Sequence, residues 1–266
     1  MRIALLYPPP WKVPAAGKTP DPIDGPPQDY LPGDLDGDFY QTPYGLFTIG
    51  AQAIRAGHQV KVINLSSFVW EDVVEVVKQL DADVFGMSCW TANRRGVALV
   101  ADQIRAHHPK AHIVVGGPHA SPLAREMLQH HAAIDTVTQG ESELTFLEIV
   151  ERVAAGQGME GLAGAVYRTG GGIEKGPSRG SIEDLDTLAS PHDYFDTHIM
   201  MTSRGCPWAC TFCGAESQWG RGFRAHSVEY VLNDLEKIVE RLPVKMVMIK
   251  DDTFTTNRKR VIELCR

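Results

Sequence analysis

Short apolar runs alternate with stretches of helical period over the first 155 residues. Residues 2–7 (RIALLY) read as a buried strand, and 59–64 (QVKVIN), 83–88 (DVFGMS), 112–117 (HIVVGG) and 135–140 (DTVTQG) as four more. Before the second run a helix ends at Gly57, a residue suited to a left-handed cap. Val73, Val76, Val77 and Leu80 recur at three- and four-residue spacing, as do Val97, Val100, Ala101 and Ile104. A further helix precedes the fifth strand, and Phe146, Ile149, Val150 and Val153 mark a closing one. Continuous apolar strands between amphipathic helices predict an α/β fold. Its parallel sheet is covered on both faces and doubly wound, with ligands beyond the carboxyl ends of its strands.

Two stretches interrupt the alternation. Residues 8–43 are rich in Pro, Gly and Asp and hold no regular period, which suggests a functional or disordered loop. Residues 165–176 (AVYRTGGGIEKG) read as a hairpin around three glycines, and 181–196 as an irregular linker. Alternation then resumes with a strand at 198–203, a cysteine-bearing loop, a helix from Ser227, a strand at 245–252 and a last helix near Asn257. This is the opening of a partial β/α barrel. The expected division is 1–160 for the doubly wound domain, 161–197 for hairpin and linker, and 198–266 for the start of the barrel.

Composition narrows the function classes. In 266 residues, 43% hydrophobic, no run approaches the roughly 20 apolar residues of a membrane span, and MRIALLYPPP is a poor signal peptide, so a cytoplasmic location is expected. The net charge is −7 with scattered basic residues, which argues against a nucleic-acid partner and for small-molecule ligands. Five cysteines, three of them within eight residues, suit a metal in a reducing compartment rather than a disulfide framework.

Those three are Cys206, Cys210 and Cys213 in SRGCPWACTFCG, spaced C-x3-C-x2-C directly after a strand. Three thiolates on one loop suffice for three irons of a cubane 4Fe-4S cluster and leave the fourth iron open. A structural zinc site needs four ligands, and His192, His198 and His226 do not stand at the customary spacing.

The C-x3-C-x-aromatic-C pattern, with Phe212 before the last cysteine, resembles the signature of radical S-adenosylmethionine enzymes. The resemblance implies that S-adenosylmethionine chelates the open iron and is cleaved to a 5′-deoxyadenosyl radical, with Phe212 along the adenine. Asp251 and Asp252 in IKDDTFT stand where that family often has a G-G-E-like segment; here they resemble the D-D-x-F version of its cobalamin-binding members. In that role they would contact S-adenosylmethionine; the plainer alternative is a helix cap.

The loops of the first domain carry the second half of the resemblance. GGPHAS (116–121), with two glycines and a helix-opening proline, QGES (139–142), Ser88, Cys89 and Thr91 all follow strands at one edge of the sheet, and YPPP follows the first strand. The set is similar to the cobalamin-binding domain, Rossmann- or flavodoxin-like, joined to radical enzymes. Carried over, Tyr7, Ser88, Thr91, Gly116, Gly117, His119, Gly140 and Glu141 would line the cobalamin. The D-x-H-x-x-G motif that supplies a histidine to cobalt elsewhere is absent, so cobalamin is expected without one. The family resemblance implies methyl transfer to an unactivated centre of a small molecule, with a cyclisation or rearrangement as runner-up. It also implies an electron donor such as flavodoxin or ferredoxin. Only two barrel strands are present, and the alternative reading is a truncated cofactor-binding fragment inactive alone, or half of a barrel completed by a second chain.

Overall fold

The structure is a computed structural model and describes residues 1–9, 42–66 and 68–266; most of the 8–43 stretch lies outside the described residues. Strands form where the short apolar runs stand: β1 (Arg2–Tyr7), β2 (Gln59–Asn64), β3 (Val84–Ser88), β4 (His112–Gly116) and β5 (Thr136–Thr138). They run parallel in the order β2-β1-β3-β4-β5, the flavodoxin-like doubly wound arrangement, with the crossover between β1 and β3.

Period-two alternation divides each strand between two cores. From β1, Ile3, Leu5 and Tyr7 face α1 (Tyr44–Arg55) and α5 (Glu143–Ala154). Ala4 and Leu6 face α2 (Trp70–Gln79), α3 (Arg94–His107) and α4 (Ala124–His130). Each fully buried Leu or Ile contributes about 1.5–3 kcal/mol relative to exposure, so neither face is stable without its helices. Gly57 has φ +86°, the left-handed cap that ends α1.

The hairpin at 165–176 belongs to this sheet rather than to the connection after it. β6 (Ala165–Thr169) pairs antiparallel with β5, and β7 (Gly172–Lys175) with β6, giving seven strands. Val166 enters one core, Ala165 and Tyr167 the other. The hairpin covers an edge of β5 that three residues of strand would otherwise leave bare.

The linker at 181–196 is irregular, as expected, yet firmly seated. Its two 3-10 turns are capped by the side chains of Asp184 and Ser190, and Leu185, Leu188 and Ala189 are buried. Gln52 of α1, itself buried, donates to Ala189 O (3.1 Å) and accepts from Ala189 N (3.0 Å). A buried amide satisfied at both ends fixes the linker to the first domain.

The remaining chain opens a second βαβ unit. β8 (Ile199–Met200) is followed by β9 (Ser203–Arg204), α6 (Ala215–Trp219), β10 (Arg224–Ala225), α7 (Val228–Arg241), β11 (Met248–Ile249) and α8 (Arg258–Leu264). β8 pairs parallel with β11, and β9 antiparallel with β10. The continuous strands expected at 198–203 and 245–252 are therefore shorter. The Asp251 carboxylate takes the N–H groups of Thr202 and Ser203, and a ladder has no use of them there. Among the described residues β11 has β8 as its one strand partner, and Met246 and Met248 are exposed. Ser227 and Asn257 cap α7 and α8, accepting from Tyr230 N and Arg260 N at 3.1 Å.

Candidate functional site

Loops after β3, β4 and β5 meet at the carboxyl edge of the sheet. Cys89 N donates to Gly116 O (2.7 Å), His119 N to Cys89 O (3.1 Å) and Ser121 N to Gly117 O (2.9 Å). Gly140 N donates to Ser121 Oγ (3.1 Å). Gly117 has φ +106°, and a Cβ there would stand 2.7 Å from Cys89 O. A Cβ on Gly116 would stand 2.5 Å from Thr138 Oγ1. A side chain is disfavoured at Gly116 by the close Thr138 hydroxyl, and at Gly117 by the Cys89 backbone and by conformation. The edge is thereby lined by backbone and small polar groups, a shallow cradle fit for a broad, flat ligand.

Side chains complete that edge. Thr91 Oγ1 and His119 Nδ1 lie 3.1 Å apart, and burial together with the Arg94 charge lowers the His119 pKa, favouring the neutral ring. Buried Asn93 donates to Ser88 O (3.0 Å) and Pro8 O (3.3 Å) and accepts from Trp90 N (2.7 Å), which holds the β3 loop against the end of β1. The Trp90 ring is 45% exposed at this edge. Trp90 and Asn93 escaped the sequence reading; an aromatic directly after a strand, three residues ahead of an Asn, was the available signal. The structure thus gathers Ser88, Thr91, Gly116, Gly117, His119 and Gly140. The fifth strand's loop is reached as expected, but the helix expected to open at Pro118 begins only at Ala124, after a series of turns.

Two residues expected at this edge are used otherwise. Tyr7 is 4% exposed and packed with Leu46 and Phe146, and burial pushes its hydroxyl up to about 12, so it is a core residue. Glu141 is buried, and its carboxylate pairs with Arg224, lies 3.5 Å from Arg204 Nη1 and accepts from Ile182 N (3.0 Å). It joins the two halves of the chain and has no oxygen turned to a ligand.

The cysteine loop stands beside this edge. Cys206 is partly exposed, Cys210 and Cys213 are exposed, and all are free thiols. Cys213 N donates to Cys210 O (3.1 Å), and Ala215 N to Cys213 Sγ (3.5 Å). Among the described residues no three or more His, Cys, Asp or Glu side chains converge on a metal position. The donor set nevertheless fits an iron–sulfur cluster: three soft thiols within eight residues on a loop with few bonds to the body. His226 is bound to Asp186 (2.9 Å) and stacked on Tyr230, and His192 is buried in the linker, so neither serves as a zinc ligand for this loop. Phe212 is 91% exposed and Trp208 70%, aromatic surface carried by the loop itself.

Both arms of the loop are tied down. Ahead of it, Asp251 accepts from Thr202 N and Oγ1 and from Ser203 N and Oγ, at 2.6–3.1 Å, and Asp252 accepts from Gly205 N (3.2 Å). Asp251 is therefore saturated by the chain itself, a different use from the ligand contact expected of it; Asp252 makes one bond and is exposed. Arg204 donates to Glu143 Oε1 (2.6 Å) and lies over the Trp219 ring, 5.1 Å to its centre. Burial alone would raise the Glu143 carboxyl, but Arg204 outweighs it and leaves the pKa below the ordinary value. Behind the loop, Gln218 of α6 donates to Gly140 O (2.9 Å) and lies 3.4 Å from Ser121 Oγ. The fifth residue after Cys213 thus carries a side chain that touches the sheet edge.

The chain is similar to several known proteins. Residues 37–150 match the B12 binding domain family. An "Uncharacterized methyltransferase PH0819" from Pyrococcus horikoshii is 31% identical over 235 residues, covering 84% of this chain and 51% of that protein. A "Hopanoid C-3 methylase" from Methylococcus capsulatus is 30% identical over 215 residues, 74% of this chain and 40% of that protein. Among solved structures, the radical S-adenosylmethionine methyltransferase TsrM from Kitasatospora setae, with cobalamin and a 4Fe-4S cluster bound, shares the fold. Its TM-score is 0.71 at 14% identity, over 99% of this chain and 50% of that one. The chain spans about half the length, or less, of the relatives it matches.

Proposed function

We propose that the chain, which matches the B12 binding domain family at 37–150 and is similar to proteins named as methyltransferases, is a cobalamin-binding radical S-adenosylmethionine enzyme that places a cobalamin and a 4Fe-4S cluster side by side for methyl transfer to an unactivated centre of a small molecule. The observation that carries this reading is the seating of the cysteine loop on the sheet's carboxyl edge through Gln218, Arg204 and Arg224. A ligand on that edge and a cluster on that loop become neighbours without any further element.

Bound together, the two groups and S-adenosylmethionine supply a methyl donor and a one-electron route to a carbon radical. The chain's own residues bind and orient. Cys206, Cys210 and Cys213 would hold the cluster as thiolates. Backbone at Gly116, Gly117 and Gly140, with Ser88, Thr91 and His119, would hold the cobalamin, and the exposed face of Trp90 would lie against it. His119 keeps Nδ1 on Thr91, which ties the ring to the β3 loop; the expectation of cobalamin without a histidine on cobalt rests on the missing D-x-H-x-x-G motif. Phe212 would lie along the adenine of S-adenosylmethionine, and Asp252, with accepting capacity to spare, would meet its ammonium. Asp251 positions the strand that precedes the cysteines.

Methyl transfer is preferred over cyclisation because two relatives, 31% and 30% identical, are named for methyl transfer. An external one-electron donor such as flavodoxin or ferredoxin completes the scheme, in the reducing cytoplasm that keeps such thiols free. Among the described residues no helix is long and apolar enough to cross a membrane.

The test uses the chain reconstituted anaerobically with iron, sulfide and hydroxocobalamin, given S-adenosylmethionine and a low-potential reductant, and read by chromatography. Formation of both 5′-deoxyadenosine and S-adenosylhomocysteine is expected. 5′-Deoxyadenosine alone would favour the cyclisation reading, and neither product would contradict the proposal.

A further inference from the structure

Four charged side chains join the sheet edge to the cysteine loop. Glu141 directly follows Gly140 of the edge, and Glu143 begins α5. Arg204 stands two residues before Cys206, and Arg224 lies on β10, paired in register with Arg204. Arg204, Glu141 and Glu143 are nine-tenths or more buried. Arg204 Nη2 donates to Glu143 Oε1 (2.6 Å), Arg204 Nη1 lies 3.5 Å from Glu141 Oε2, and Arg224 donates to the other Glu141 oxygen. Arg224 also donates to Ile182 O (2.6 Å) and Trp219 O (3.1 Å), bringing the linker and the far arm of the loop into the same knot.

We infer that Glu141, through Arg204 and Arg224, is a positioning residue that sets the separation and orientation of the two cofactors, rather than the affinity for either one. The inference rests on the proposed cobalamin and cluster sites. Its basis is the placement of the group. Glu141 touches no atom of the cradle or the thiols, yet it is one residue from the cradle, and its partner Arg204 is two residues from the first cysteine. Surface ion pairs at such a boundary would contribute little and leave it loose. A buried network with few alternative arrangements resists displacement, because moving either half strands a charge without water. The arrangement has the character of a register device. Hydrophobic contact would bind the halves together as well, but would tolerate sliding.

The experiment measures the distance distribution between cob(II)alamin and the reduced cluster by pulsed dipolar EPR in the reconstituted chain. Wild type, Glu141→Gln, Arg204→Gln and the double variant are compared. Each variant is expected to hold both cofactors at wild-type stoichiometry with unchanged individual spectra. Each single variant should show a broadened or shifted distance, and the double should be no broader than the singles, since all three break one network. An unchanged distribution in the singles overturns the positioning role. A wild type lacking either signal overturns the proposed function instead, and the two failures are thereby told apart.

Hydrogen exchange of the unloaded chain keeps the test independent of loading. In Glu141→Gln, amides at 203–205 and 218–224 are expected to exchange about tenfold faster or more while β1, β3 and β4 keep their protection. If the protection of those strands falls too, Arg224→Lys, which keeps the charge and loses the fork, must show the local effect alone for the proposal to stand.

Discussion

Gly117 shows how little a side chain needs to do at this site. With φ +106° and Cys89 O where a Cβ would go, any substitution both strains the backbone and pushes the β3 and β4 loops apart. Gly117→Ala should cost about 1–3 kcal/mol in thermal unfolding and reduce cobalamin retention after gel filtration; full retention would remove this glycine from the cradle. The residue's importance was legible in the sequence because paired glycines after a strand have few other uses. The role of Glu141 was not. A Glu after a loop glycine reads the same whether it faces a ligand or a buried arginine, and its partners Arg204 and Arg224 lie 63 and 83 residues along. Tyr7 failed for a simpler reason: at the end of a strand, which face a residue takes depends on where the alternation stops. Burial with Leu46 and Phe146 decided it.

At the scale of elements, the sequence read well where one period persists for a whole turn or strand. The five parallel strands and their helices stand where apolar spacing put them, because each buries a continuous face. It read poorly where a side chain competes with the ladder. Asp251 lies 49 residues from Thr202 and takes four donors from Thr202 and Ser203, which ends β8 early and turns the chain into the cysteine loop. Arg260 braces the same turn, donating to Thr202 O (2.9 Å) and His226 O (3.2 Å). Asp251→Asn puts an amide N–H₂ against these donors and should destabilise by about 1–3 kcal/mol, with lowered iron content on reconstitution. Thermal unfolding and iron assay together check this: a variant as stable as wild type that fails to contact S-adenosylmethionine would restore the ligand role for Asp251. The hairpin at 165–176 was legible as a hairpin but not as sheet, since nothing local states which edge a pair of strands will join.

For the molecule as a whole, buried titratable groups set an acid limit. Burial lowers the pKa of His192 and of His226 from the ordinary 6.5, the latter despite its bond to Asp186. Glu143, held by Arg204, sits below the ordinary 4.5. In each case the unfolded chain takes up its proton at higher pH than the folded chain. Stability is therefore fully present above pH 6.5, declines as pH falls through the histidine range, and drops again below 4.5 as the folded-state values are crossed. Thermal midpoints should be flat on the neutral side and fall steadily under acid; a midpoint unchanged down to pH 5 would contradict the burial of these histidines. Because His192, His226 and Glu143 all lie where the two halves of the chain meet, that junction should loosen first, ahead of the sheet.

The proposed function requires one chain to hold a cobalamin and a three-cysteine cluster at the same edge. The most direct measurement is anaerobic reconstitution with iron, sulfide and hydroxocobalamin, followed by metal counts on the wild type and on Cys210→Ala. The account predicts about four irons and one cobalt per wild-type chain, with iron lost and cobalt kept in the variant. Iron without cobalt, or a site that takes zinc alone, would contradict it.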